Sequence, residues 1–170
     1  MAHTTPTYMT TEEAAQAVRT ALKAKGLNAR AVSVRKEYFS LGSSIEITIR
    51  DPSVSLRDVK SIAASAERIH RCEITGEILG GGNRYVSVRY SDEARKVLEA
   101  KHIDVLQPVA DRLKAEPTGV GYEIPGTEFT LFRGHNGYGF ALYADGSRVT
   151  EANDLATVSF AFAIAAQDRD

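Results

Sequence analysis

The apolar positions recur first at helical spacing. Ala14, Val18, Ala21 and Leu22 fall on one side of a 3.6-residue repeat. Thr10 stands three residues before Glu13, the spacing of a capping box, and Gly26 follows the last apolar position. These signals predict a helix over about residues 11–25, after a Thr-rich extended lead-in over 1–9. The period then changes to two. Val32, Val34 and Lys36 alternate with Ala31, Ser33 and Arg35, and Ile45, Ile47 and Ile49 alternate with Glu46, Thr48 and Arg50. With a turn at Ser40, Leu41, Gly42 and Ser43, this predicts a hairpin with one dry and one wet face.

Asp51 and Pro52 close the hairpin, and Ser55 caps a second helix with the stripe Leu56, Val59, Ile62, Ala63 and Ala66. Residues 70–83 are irregular and glycine-rich. A third strand follows, Val86, Val88 and Tyr90 alternating with Tyr85, Ser87 and Arg89. Ser91, Asp92 and Glu93 open a third helix over Ala94, Val97 and Leu98. A fourth, about 104–114, carries Leu106, Val109, Ala110 and Leu113, with Pro108 expected in its first turn, where the missing N–H is harmless. The turn-rich segment 115–126 is the expected boundary between a 10–114 domain and a 115–170 portion. In the latter, 129–132 and 138–143 form a second hairpin, and Asp145 and Gly146 turn into a short strand near Arg148 and Val149. Residues 155–166 alternate like a strand, yet Asn153 and Asp154 can cap a helix and the alanines favour one, so a helix is expected. The fold class is α+β: an antiparallel sheet with helices packed on one face, plus a C-terminal β-hairpin and helix, the two portions sharing a core or not.

Composition narrows the classes. The 170 residues are 43% hydrophobic and 25% charged, which excludes collagenous, disordered and disulfide-scaffold proteins. The single cysteine, Cys72, excludes an intramolecular disulfide and points to a reducing compartment, the cytoplasm. The first residues lack the basic and apolar regions of a secretory signal, and the apolar run at 155–166 is too short to span a bilayer. Charge is uneven: residues 1–101 carry 16 Lys/Arg against 12 Asp/Glu, residues 102–170 carry 5 against 10.

Candidate chemistry is sparse. His3, His70, His102 and His135 are too far apart in sequence for a local chelate, and His70 with Cys72 supplies only two ligands, so no metal and no cofactor is expected. No G-x-S-x-G elbow occurs, and Cys72 reads as a structural residue more readily than as a nucleophile, so no enzyme is expected. The glycines at 76 and 80–82 precede a strand and lack the Lys-Ser/Thr ending of a phosphate loop. The wet face of the first sheet could bind nucleic acid, with Tyr85 as the one stacking platform and Arg35, Arg50 and Arg89 around it, though Glu37 and Glu46 dilute the field. The second hairpin's loop offers Arg133, His135, Asn136 and Tyr138 as partner anchors.

The opening helix ending Ala21, Leu22 and Lys23, the run Val32, Ser33, Val34 and Arg35, then Tyr38, and above all Gly42, Ser43, Ser44 and Ile45 resemble the large polyvalent-protein-associated domain, twenty-ninth class. The resemblance covers residues 11–90, and Leu41–Gly42 stands where the family usually has paired glycines. It implies a phage or mobile-element protein acting in a bacterial host cell, and no catalytic residues. By analogy it implies a non-enzymatic counter-defence factor, an inhibitor of a Cas effector or restriction enzyme. The acidic residues Asp145, Glu151 and Asp154 would then mimic nucleic acid. Phe160 and Phe162 on the terminal helix suggest a homodimer, and the nucleic-acid accessory role is the alternative.

Overall fold

The computed structural model describes residues 9–117, 119–135 and 137–169. The chain is α+β and divides into two compact units, 1–91 and 92–170. No helix among the described residues is long and apolar enough to cross a membrane.

The first unit begins with α1, Thr11–Ala24, held by the expected capping box: Thr10 accepts from the Glu13 amide, and the Glu13 carboxylate accepts from the Thr10 amide. The predicted hairpin forms as β1, Val32–Phe39, and β2, Gly42–Ile49, paired antiparallel. Helix α2, Leu56–Ala63, is capped by Ser55 and runs into a single 3-10 turn, Ala64–Ala66. Strand β3, Asn83–Tyr90, then joins β2 in parallel, giving the order β1-β2-β3. The sheet is therefore mixed, which corrects the all-antiparallel expectation. A helix lies between β2 and β3, and such a crossover returns the chain in the same direction, which a hairpin cannot do. Alternation in β2 sends Ile45, Ile47 and Ile49 into a core with Ala14, Val18 and Leu22 of α1 and Val59 and Ala63 of α2. Tyr90 closes one end, its hydroxyl donating to the Val54 carbonyl at 2.7 Å.

The second unit opens with α3, Asp92–Lys101, and α4, Ile103–Lys114. Val97, expected in the apolar stripe of α3, is exposed. Pro108 sits inside α4, beyond its first turn, so a helical hydrogen bond is missing there. A four-stranded sheet follows, β4 Gly121–Glu123, β5 Phe129–Arg133, β6 Phe140–Ala144 and β7 Ser147–Ala152, in that order and antiparallel throughout. It contains the expected hairpin as β5 and β6 and the expected short strand near Arg148 as β7, and adds β4. Helix α5, Leu155–Gln167, resolves the ambiguous segment, with Val158, Ser159, Phe162 and Ala163 buried at helical spacing. One core joins Leu106, Val109 and Leu113 of α4, Phe129, Leu131 and Leu142 of the sheet, and Val158 and Phe162 of α5.

The two compact units divide between Ser91 and Asp92, whereas the turn-rich segment suggests a boundary at 115. Glycines and prolines make 115–126 read as a linker, but the segment carries β4 and the fully buried Ile124, whose amide bonds to the Phe129 carbonyl at 2.8 Å. These contacts tie it into the second core.

Candidate functional site

The helices cover one face of the first sheet, and the register defines the other. Across β1, β2 and β3 that outer face carries Ser33, Arg35, Glu37 and Phe39, then Gly42, Ser44, Glu46 and Thr48, then Asn83, Tyr85, Ser87 and Arg89. Phe39 is stacked with Tyr85, ring centroids 6.2 Å apart and planes inclined by 26°. Gly42 of the central strand lies opposite Phe39 and Asn83 and puts no side chain beside the two rings. It has to be glycine, because a Cβ there would run into the Asn83 carbonyl. Phe39 is 47% exposed and Tyr85 half-buried, so the pair is open to a third flat ring.

Arg35 lies opposite Glu46, and Arg89 opposite Thr48. Among the described residues neither arginine side chain makes an ion pair or a hydrogen bond, and both are exposed. With Glu37 and Glu46 the face carries two cations and two anions. Hydroxyls of Ser33, Ser44, Thr48 and Ser87 offer donors and acceptors between them. Arg50 stands apart. It follows β2 and borders a recess with Arg19 and Lys23.

Two further apolar groups flank the end of the sheet where Phe39 lies. Tyr38 and Leu41 are exposed at the β1–β2 turn, and Ile74, Ile78 and Leu79 are exposed in the excursion before β3. That excursion is held by Asn83, whose amide group donates to the Leu79 carbonyl at 2.7 Å and accepts from the His70 amide at 2.8 Å. Cys72 lies in it half-buried, its thiol pKa lowered by hydrogen bonding to Thr75 and Ile74.

The residues singled out in the second unit have structural partners. Arg133 donates from Nη1 to the Glu116 carbonyl at 2.6 Å and from Nε to the Gly137 carbonyl at 3.1 Å. Glu151 accepts from the His135 amide at 2.9 Å and from Arg148 at 2.7 Å. These bonds hold its carboxyl below the usual range, the His135 amide contributing most. Asp145 accepts from Arg169 at 2.8 Å. Asp154 caps α5, accepting from the Thr157 amide at 2.7 Å, which also lowers its pKa. Tyr138 is 76% exposed, in the loop and not in the strand expected to contain it. The Arg95 guanidinium lies 5.1 Å from the ring centre of Phe160, while Phe162 enters the core. Asn136 and His3 lie outside the described residues.

Among the described residues no three His, Cys, Asp or Glu side chains come together as a metal site. No protein-family model, curated protein or solved structure matches the chain.

Proposed function

We propose that the protein is a non-enzymatic binding module whose first unit takes single-stranded nucleic acid on the outer face of its sheet. The stacked Phe39–Tyr85 pair, open to solvent beside Gly42, carries the proposal. Unpaired bases stack on such rings, each stack being worth about 1–3 kcal/mol. Arg35 and Arg89 meet phosphates, and the serine and threonine hydroxyls meet base edges. Glu37 and Glu46 balance the two arginines, so stacking supplies more of the affinity than charge does. Two phosphate contacts on a single strand predict a salt slope of only about −1.4 in log K against log salt.

The test is fluorescence anisotropy with a labelled oligo(dT) at several salt concentrations. Phe39→Ala and Tyr85→Ala should each weaken binding by about tenfold, in line with one lost stack. No binding at low salt, or affinity untouched by both substitutions, overturns the proposal.

A second reading is a phage or mobile-element inhibitor of a host defence complex in the bacterial cytoplasm. The segregation of charge supports it: residues 1–91 carry 13 Lys/Arg and 9 Asp/Glu, residues 92–170 carry 8 and 13. The resemblance over 11–90 agrees with it. Nuclease-resistant binding to a purified Cas effector or restriction enzyme, weakened by Asp145→Asn, supports this second reading, and failure to inhibit any such complex removes it.

A further inference from the structure

A recess of about 530 Å³ opens between α1 and β1 in the first unit. Its floor is apolar. Leu22 and Val32 are 3% and 4% exposed, and Leu27 and Val34 are half-buried beside them. Its rim is cationic: Arg19 and Lys23 come from successive turns of α1, and Arg50 from the end of β2. Arg19 is fixed by donating from Nη2 to the Val34 carbonyl at 2.9 Å, which holds the guanidinium against β1 and leaves its other donors free. Among the described residues the side chains of Lys23 and Arg50 make no hydrogen bond or ion pair, and no Asp or Glu lines the recess.

Three cations around an apolar floor, with no carboxylate among them, attract an anion and do not satisfy one another. The volume lies in the range that small ligands occupy. A simple anion would leave the floor exposed to water, and a neutral apolar ligand would leave the cations without a counter-charge. One kind of molecule meets both surfaces. We propose that this recess binds an amphiphilic carboxylate, its head between Arg19, Lys23 and Arg50 and its acyl or aryl body over Leu22, Leu27, Val32 and Val34. The site adjoins the outer sheet face only at Ser33, shares none of Phe39, Tyr85, Arg35 and Arg89 with it, and stands or falls independently of the nucleic-acid proposal.

The experiment is amide-resolved NMR titration of the full chain with decanoate below its micelle concentration, with decanol and inorganic phosphate as controls. Decanoate should shift the amides of Leu22, Leu27 and Val34 saturably, at least tenfold more tightly than either control. The exposed pair Lys23→Gln and Arg50→Gln, combined, should weaken decanoate at least tenfold and leave binding of decanol unchanged. The unaltered remainder of the spectrum reports that this variant is folded. Equal binding of decanol makes the recess a plain apolar groove, and equal binding of phosphate makes it a plain anion site. Either result overturns the proposal, as do shifts that map elsewhere or a double variant that binds decanoate normally.

Discussion

Arg84 is 7% exposed within the first unit, and its guanidinium donates from Nε to the Ala66 carbonyl at 2.5 Å. Its Nη1 donates to the Met9 carbonyl at 2.8 Å. One side chain on β3 thus ties the end of the 3-10 turn to the residue that precedes α1's cap. Burial, and then the charge of Arg68, lower its pKa. Arg84→Ala leaves both carbonyls without this donor, so a loss of about 2–4 kcal/mol is expected in urea denaturation. Arg84→Lys should recover only part of this, since an ammonium lacks the fork that reaches both carbonyls.

A side chain at Gly42 of β2 would collide with the Asn83 carbonyl of β3. Gly42→Ala should cost about 1–3 kcal/mol of stability, because backbone must move to admit the methyl group. It should also separate Phe39 from Tyr85 and so weaken oligonucleotide binding in the folded variant. Normal stability and normal binding together would show that the strands part without effect on the platform.

Ser159 is fully buried in α5, and among the described residues its hydroxyl has no hydrogen-bond partner. Ser159→Ala removes an unsatisfied polar group and adds a better helix former, so a gain of about 1 kcal/mol is expected. Thermal denaturation measures it, and a loss would mean that the hydroxyl is satisfied in solution.

His102 lies edge-on to Phe162 at 4.8 Å, and burial, reinforced by Lys101, pushes its pKa below the ordinary imidazole value. The folded chain therefore binds this proton less readily than the unfolded chain. The contribution is present above the unfolded pKa of about 6.5 and is lost as pH falls through the lower folded value. Tm should decline on acidification below that point, before most carboxylates titrate. His102→Gln should flatten the decline, and an unchanged profile would exclude His102 as its source.

Local signals were legible. The Thr10–Glu13 box, the alternation around Ile45, Ile47 and Ile49 and the Asp154 cap each depend on neighbours in sequence, and each forms as read. Features set by distant partners were not. Nothing in the residues of β3 states that it runs parallel to β2, and the turn residues of 115–126 conceal that Ile124 enters the second core. At the candidate face, Tyr85, Arg35 and Arg89 follow from alternation. Phe39 has the same parity as Arg35 but sits beside the turn, where strand signals fade. The place of Arg50 at the recess with Arg19 and Lys23, and the pairing of Arg169 with Asp145, are long-range arrangements that sequence neighbours do not show.

The two sheets also imply different folding speeds. In the second unit each strand pairs with the next in sequence, so short loops bring its strands together. In the first, β3 must wait until the chain from Ile49 to Asn83 has looped through α2 before it can find β2. The entropy of closing that long loop is paid before any parallel pairing rewards it. The C-terminal half should therefore acquire protection from hydrogen exchange first, and the stacking face, which needs β3 in place, should be among the last surfaces to exist.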